Sequence, residues 1–168
     1  SHWGKTPPCT LALIKAKIAH VVAALGDPNP KVRGRGFKAL KNAKIKIRTG
    51  ILTERATQLN LPFYTQMTQN RPYIILKAAM TLDGKIADYR GDSKWITTKE
   101  TRRSLWRLRG LCDGILAGIG TIAKDDPELT SHGCGRNPVR IILDPHLKIS
   151  SRARVLNTNE AGTIVVTT

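Results

Sequence analysis

The sequence predicts an α/β fold in two domains, each of which lacks part of a complete sheet. Helical and strand patterns alternate in both halves of the chain, as they do in layered α/β proteins. Short apolar runs in the second half are typical of parallel strands that are covered on both faces. Polar residues before Pro72 end the first pattern, so we expect the domains to span residues 1–70 and 71–168.

Composition places the chain among globular proteins. Hydrophobic residues make up 40% of the 168 residues and aromatic residues 5%, which excludes disordered, collagen-like and repeat-array chains. No apolar run approaches the roughly 18 residues of a membrane-spanning helix, and no signal peptide is recognisable. The cysteines are odd in number and far apart, which argues against a disulfide framework. We expect a cytoplasmic protein without a membrane partner. The loop-like start suggests a fragment of a longer polypeptide.

Positive charge is concentrated in the first half of the chain. The chain has 28 lysine and arginine residues and 12 aspartate and glutamate residues, which gives a net charge of +16. Residues 1–71 hold 13 basic and 2 acidic side chains, whereas residues 72–168 hold 15 and 10. This excess favours polyanions such as nucleic acid, anionic lipid or phosphorylated small molecules, and it does not choose among them. A solvated basic surface explains it equally well.

Spacing of apolar residues predicts the elements in chain order. In the first half we expect helices at residues 10–16, 37–43 and 53–64 and strands at 18–25 and 45–48, with Thr10 as a helix cap and an interruption at Pro62. In the second half we expect a strand at residues 73–80, a helix with Thr97 as N-cap and Gly110 at its C-terminal end, and buried strands at 115–118, 139–143 and 163–166.

Cys9 is the first candidate for chemistry. A thiol near a helix N-terminus is biased towards the thiolate, which suits a metal ligand or a nucleophile. A single cysteine is also commonly a small buried hydrophobic residue, and this alternative stays open.

The stretch Gly118–Ala123 matches the G-x-G-x-x-A pattern of dinucleotide-binding folds. That pattern requires a long helix after the glycines, whereas Pro127 ends any helix within about two turns. A true dinucleotide-binding unit is therefore disfavoured. The glycines and the Thr121 hydroxyl could still admit a phosphate or a ribose.

Arg109 and Lys77 are the cations most in need of an explanation. Arg109 borders the apolar face of its predicted helix, so its guanidinium suits bidentate phosphate binding or an interface salt bridge. Lys77 lies among apolar neighbours in a predicted strand. It is either a buried lysine with a function or an edge lysine whose ammonium reaches solvent.

Taken together, these segments resemble the bifunctional deaminase/reductase family of riboflavin biosynthesis. Similarity to the end of the zinc deaminase domain is carried by His2-x-Gly4-Lys5-Thr6-Pro7-Pro8-Cys9, Asp27-Pro28-Asn29-Pro30, Gly34-x-Gly36 and Leu59-Asn60. Similarity to the reductase domain is carried by Arg71-Pro72-Tyr73, Leu82-Asp83-Gly84-Lys85-Ile86-Ala87, Gly91-Asp92-Ser93-Lys94-Trp95-Ile96-Thr97, Leu108-Arg109, Gly118-x-Gly120-Thr121 and Asp125-Asp126-Pro127-x-Leu129-Thr130. The resemblance covers nearly the whole chain.

The resemblance implies the C-terminal part of a cytidine-deaminase-like domain followed by the N-terminal part of a dihydrofolate-reductase-like domain. In the first part only Cys9 matches a zinc ligand of the family, and one thiolate cannot hold catalytic zinc. Zinc would therefore belong to the complete deaminase domain, and we do not expect this chain to hold it.

For the second part, the resemblance implies reduction of 5-amino-6-(5-phosphoribosylamino)uracil by NADPH, with hydride transfer that opens the ribose to a ribityl chain. The implied NADPH contacts are Ala79, Trp95, Thr121 and Asp125, and the implied substrate contacts are Ser93, Arg109, Leu129 and His132. Lys77 is our candidate for polarising the sugar.

Several positions depart from the family pattern. His132 stands where an arginine usually binds the substrate phosphate, and Pro145 replaces a small polar residue next to the cofactor. Lys17 and Lys44 stand where glycines commonly end helices. The family's later acidic substrate residue and Gly-rich nucleotide loop have no counterpart before Thr168, so we expect weak or no reductase turnover from this chain alone.

Two expectations about partners follow, and two alternatives are kept beside them. The small-molecule partner is the phosphoribosyl pyrimidine, and identical chains are expected to associate through the reductase domain. A basic nucleic-acid-binding module is the first alternative, disfavoured because few aromatic residues are available to stack on bases. The second alternative is a non-catalytic remnant of the enzyme.

Overall fold

Two separate parallel sheets, one in each half of the chain, organise the fold. The computed structural model describes residues 5–30 and 32–168, and it divides into a first unit that ends at Leu76 and a second unit that begins at Lys77. The elements of the first unit are α1 (Cys9–Lys15), β1 (His20–Ala23), α2 (Arg35–Asn42), β2 (Lys46–Thr49), α3 (Thr53–Leu59) and α4 (Leu61–Gln69). Those of the second unit are α5 (Lys99–Leu111), β3 (Gly114–Gly118), α6 (Ile119–Asp125), β4 (Val139–Leu143), a short 3₁₀ helix (Arg154–Leu156) and β5 (Thr163–Val166). Within the described ranges, none of the helices has the length and apolar character needed to cross a membrane. The His2 and Gly4 positions of the first motif lie outside the described residues.

In the first unit, β1 and β2 pair in parallel, with His20 opposite Lys46 and Ala23 opposite Thr49. Parallel neighbours need a crossover connection, and α2 lies in that connection. Its apolar face buries Leu40, while its lysines stay exposed. The first unit is therefore α/β, as the alternating sequence pattern predicts.

Two local predictions for the first unit are wrong, and the position of a third feature differs. The strand expected at 18–25 is only four residues long, and its side chains alternate between exposed and half-buried. Helix α1 begins at Cys9 with Pro8 as its N-cap, so Thr10 is not the cap. The interruption expected at Pro62 lies at Asn60, and Pro62 is at the start of α4 because proline fits the first turn of a helix.

Lys17 and Lys44 both adopt left-handed backbone conformations, with φ of 52° and 59°. They follow α1 and α2 at the positions where the family pattern has glycine. A side chain there costs about 1–2 kcal/mol relative to the right-handed region. The conformation that glycine would favour is thus kept although lysine occupies the position.

The second unit contains a three-stranded parallel sheet in the order β3-β4-β5. All three strands lie where the apolar runs predict them, apart from one added residue at the start of β3. One face of the sheet packs on a core cluster made of Ile122, Leu129, Ile142 and Val155. The other face is exposed at Leu116 and Ile164, so the prediction that these strands are buried on both sides is wrong for the described residues.

Residues 73–80 do not form the predicted strand. They form no regular secondary structure and pair with no strand among the described residues, and Leu76 is 94% exposed. A run of apolar residues indicates burial, but a strand also requires a hydrogen-bonded neighbour. Lys77 is accordingly exposed, and Ala79 is half-buried.

The boundaries of α5 also differ from prediction. Thr98, not Thr97, is the N-cap, and its hydroxyl accepts a hydrogen bond from the Thr101 amide at 3.2 Å. The helix continues through Gly110 to Leu111. A Cβ atom at Gly110 would lie 3.0 Å from the carbonyl oxygen of Cys134, so glycine is required there by close packing and not by a left-handed turn.

We predict that Ile142→Ala lowers the free energy of unfolding by about 2–5 kcal/mol, because Ile142 is fully buried and its loss leaves a cavity in the core. Ile164→Ala on the exposed face is the matched control, with an expected change within about 1 kcal/mol. Urea unfolding monitored by circular dichroism measures both. Equal effects of the two substitutions would show that this core does not stabilise the sheet.

Candidate functional site

One stripe of α5 presents three side chains to two loops of the second unit. Arg102, Trp106 and Arg109 are spaced i, i+4 and i+7, which places them within an arc of about 60° and along about 10 Å of the helix. All three are partly buried, whereas the neighbouring Arg103 and Arg107 are exposed. Leu105 and Leu108 of the predicted apolar face are half-buried as well, so the stripe borders that face.

Arg102 contacts the loop that precedes the helix. Its guanidinium carbon lies 4.1 Å from the centre of the Trp95 ring, and its Nη1 donates a hydrogen bond to the Thr97 carbonyl. A cation over an indole face is worth about 0.5–1 kcal/mol at an exposed site. Trp95 is 71% exposed, so most of the indole surface stays accessible.

The same loop is connected to the end of α6. The ammonium of Lys124 donates to the Gly91 carbonyl, and Lys124 directly precedes Asp125. Ser93 and Trp95 line an open cavity of about 600 Å³ in this region. That volume is within the range of small-molecule sites.

Trp106 and Glu128 both contact His132, on the second loop. The rings of Trp106 and His132 have their centroids 4.6 Å apart, and His132 Nδ1 lies 3.5 Å from the Glu128 carboxylate. Glu128 also forms an ion pair with Arg154. The imidazole is thus held between an aromatic ring and a carboxylate.

Arg109 donates from Nη1 to the Thr130 carbonyl of this loop at 3.1 Å. Burial lowers the pKa of the Arg109 guanidinium from its ordinary value, and arginine nevertheless remains protonated near neutral pH. The hydrogen bond uses one of the five N–H groups, so others can still bind an anion. Arg109 therefore does border the buried side of its helix, as the helical wheel indicates.

The loop at residues 126–132 is conformationally strained. Asp126, Leu129 and His132 all have positive φ, at 39°, 54° and 47°. Each such residue costs about 1–3 kcal/mol, and strained residues persist only where the surroundings hold them. Arg140 contributes to this support: it is fully buried and donates to the Glu128 carbonyl at 3.3 Å. Burial lowers the pKa of Arg140, and the Glu160 carboxylate acts in the opposite direction.

Thr121 and Asp125 lie on α6, which follows β3 at the carboxyl end of the sheet. Open α/β sheets bind ligands at this edge. The helix has only seven residues and ends at Asp125, with Asp126 as its C-cap, so the prediction that no long helix follows the glycines is confirmed. Asp144 at the end of β4 is fully buried and accepts from the Ile149 amide at 2.8 Å, which indicates a structural role.

The structure places most of the predicted reductase residues in two sets, and of these residues only Ser93 and Trp95 line the cavity described above. Ser93 and Trp95 share a loop that contacts α6, where Thr121 and Asp125 lie, and Leu129 and His132 share the loop that Arg109 contacts. Lys77 and Ala79 lie in the unpaired segment at 72–80, so the argument for a buried lysine does not apply to Lys77.

Cys9 is the exposed first residue of α1 in the other unit. Across residues 5–30 and 32–168, no group of three histidine, cysteine, aspartate or glutamate side chains is placed to hold a metal. The described residues do not fit a zinc site, which takes three or four protein ligands.

Sequence reasoning missed Arg102, Trp106 and Lys124. The spacing of Arg102, Trp106 and Arg109 is visible in the sequence as a helical stripe. A search for apolar residues passes over it, because two of its three members are cations. The contact of Lys124 with Gly91 joins positions 33 residues apart, and no local sequence pattern predicts it.

Comparison with known proteins places the chain in a family. Residues 72–168 match the model of the RibD C-terminal domain. The riboflavin biosynthesis protein RibD of Aquifex aeolicus is 50% identical over 99% of this chain and 48% of its own length, and that of Synechocystis is 40% identical over 99% and 46%. The chain therefore spans about half the length of the curated relatives it matches.

Solved structures give the same result. A diaminohydroxyphosphoribosylaminopyrimidine deaminase/5-amino-6-(5-phosphoribosylamino)uracil reductase from Thermotoga maritima matches with a TM-score of 0.90 and 45% identity, over 99% of this chain and 47% of the other. RibD of Acinetobacter baumannii matches with a TM-score of 0.89 and 36% identity, over 100% and 49%. The mixed α/β architecture with parallel sheets agrees with these structures. By the match of its residues 72–168, the chain belongs to the RibD C-terminal domain family.

Proposed function

We propose that the chain forms part of an NADPH-dependent reductase that converts 5-amino-6-(5-phosphoribosylamino)uracil to its ribitylamino form in riboflavin biosynthesis. The observation that carries this proposal is the match of residues 72–168 to the RibD C-terminal domain. In this proposal, residues 71–168 are the first part of a dihydrofolate-reductase-like domain, and residues 1–70 are the last part of a cytidine-deaminase-like domain.

The side chains near the loop at 91–97 fit a nicotinamide nucleotide. Trp95 offers an exposed aromatic plane for stacking, and the exposed Thr121 hydroxyl and the Asp125 carboxylate suit amide and ribose groups. Ala79, the fourth proposed contact, is half-buried in the segment before the loop. This set of aromatic and hydrogen-bonding groups is chemically complementary to a nucleotide that carries a carboxamide ring and two sugars.

The second loop and Arg109 suit the phosphoribosyl substrate. Arg109 retains N–H groups beyond the one given to Thr130, and a guanidinium binds phosphate oxygens in a bidentate manner. His132, which lies on the same loop, carries a positive charge when it is protonated. Ser93 and Leu129 complete the proposed substrate contacts; because the Leu129 side chain is packed in the core, its contact would be made by the backbone.

When bound, NADPH supplies a hydride to the sugar carbon C1′. This chain binds and orients: Trp95 stacks, Thr121 donates or accepts a hydrogen bond, Asp125 accepts one, and Arg109 anchors the phosphate. Lys77 is retained as the proposed group that polarises the sugar oxygen, although its exposure means that a bound ligand would have to desolvate it.

Some parts of the proposal concern the longer protein. Cys9 is proposed as a zinc-ligand position of a complete deaminase domain, and no deamination step is derived for the described residues. Association of identical chains through the second unit and a cytoplasmic location are also proposed. The family match does not favour the alternative of a nucleic-acid-binding module.

We predict that Thr121→Ala and Asp125→Ala each weaken NADPH binding about five- to tenfold, because each removes about one hydrogen bond of roughly 1 kcal/mol. Fluorescence titration measures the dissociation constants. Thr49→Ala and Asp113→Ala, at exposed positions outside this site, are the controls. Unchanged affinity in both test variants would remove the cofactor assignment.

We predict that Arg109→Met weakens binding of ribose 5-phosphate by about ten- to a hundredfold, since a hydrogen bond to a charged group contributes about 1.5–3 kcal/mol. Calorimetric titration measures this affinity. Arg107→Met, at an exposed position two residues away, should leave it unchanged. If both variants bind as the parent does, the contact of Arg109 with Thr130 is its only role.

A further inference from the structure

The segment Gly91–Thr97 is held at its two ends by cations from two different helices. At its start, Lys124 of α6 donates to the Gly91 carbonyl. At its end, Arg102 of α5 donates to the Thr97 carbonyl. Ser93 and Trp95, both proposed ligand contacts, lie between these two anchors.

At the first anchor, the Lys124 ammonium lies close to a glycine with a left-handed backbone, Gly91. Gly91 has a φ of +77°, and a Cβ atom there would lie 3.0 Å from the Lys124 ammonium nitrogen. Lysine at 124 is therefore packed against the backbone of the segment. Lys124 immediately precedes Asp125, so the first anchor connects the segment to the helix that carries a proposed nucleotide contact.

At the second anchor, Arg102 covers part of one face of an indole that is otherwise exposed. An exposed tryptophan samples several rotamers unless a neighbour restricts it. Here the guanidinium restricts the ring at 4.1 Å and is itself fixed by the Thr97 carbonyl. The opposite face of Trp95 is left for a ligand.

Among the described residues, no carboxylate lies within 4.0 Å of either cation's nitrogens, although the Arg102 charge does act on Glu100. The ion pairs of the described residues join His132 and Arg154 to Glu128, and Arg136 to Asp113. Arg102 and Lys124 direct their hydrogen bonds at carbonyl oxygens of the segment instead. Their contacts thus act on the backbone that carries Ser93 and Trp95.

We propose that Arg102 and Lys124 are positioning residues that preorganise segment 91–97 for the nucleotide without touching it. The inference rests on the proposed function, since it names how the same site is kept in a binding-competent conformation. Preorganisation raises affinity because less ordering entropy is lost on binding. Loss of either cation is therefore expected to weaken nucleotide binding through the loop.

Fluorine NMR of protein labelled with 5-fluorotryptophan tests the Arg102 anchor directly. Arg102→Ala should move the Trp95 resonance towards that of a solvated, mobile indole. Trp95→Phe assigns the resonance, Arg103→Ala is the matched control, and Arg102→Lys should restore part of the shift. A Trp95 resonance unchanged in Arg102→Ala would overturn the proposal.

Hydrogen exchange measured by mass spectrometry tests the Lys124 anchor. Lys124→Met should raise exchange in segment 91–97 about five- to tenfold, the effect of losing about one hydrogen bond. Lys124→Arg should restore protection, Lys148→Met is the exposed control, and unchanged exchange in β4 shows that the variant is folded. Unchanged exchange in the segment would overturn the proposal.

NADPH titration of the same variants tests whether the two anchors affect nucleotide affinity. Arg102→Ala and Lys124→Met should each raise the dissociation constant about five- to tenfold, and the conservative variants should restore most of the affinity. A loosened segment with unchanged affinity would contradict the positioning role. If the parent chain does not bind NADPH, the proposed function fails, whereas the NMR and exchange results still decide whether the two cations fix the segment.

Discussion

The regular geometry of helix α5 is the constraint on which the candidate site depends. Because Arg102, Trp106 and Arg109 are fixed along one stripe, the two loops they contact are held on one support about 10 Å long. Thr98 caps the start of the helix, and hydrogen bonds from the backbone and from Thr98 lower the pKa of Glu100. Near the end of α5, Gly110 packs against the backbone of Cys134 and Gly135.

The two loops are held by different contacts. Three left-handed residues strain the segment at 126–132, which is held by Leu129 in the core and by donors from α5 and from the buried Arg140 that bind its carbonyls. The segment at 91–97 is held by hydrogen bonds from Lys124 and Arg102 to its carbonyls. Each loop thus has a defined shape, which suits a site built on loops that a rigid scaffold positions.

Periodic apolar patterns made the regular elements predictable, and contacts between distant residues decided the rest. The strands at 139–143 and 163–166 and the brevity of α6 follow from local sequence. The segment at 73–80 has an equally apolar pattern, but its identity as a strand depends on a partner that local sequence does not specify. For the site, a helical wheel predicts that Arg109 borders the buried face of its helix, whereas the contact of Lys124 with Gly91 depends on the tertiary fold.

The central claim is that the second unit binds a nicotinamide nucleotide beside the amino-terminal end of the α5 stripe. Titration of the ¹⁵N-labelled chain with NADPH, followed by two-dimensional NMR, tests it most directly. The account predicts chemical-shift changes at residues 91–97, Thr121 and Asp125, with the first unit unaffected. Saturating NADPH that perturbs no residue of the second unit, or only residues of the first, would contradict it.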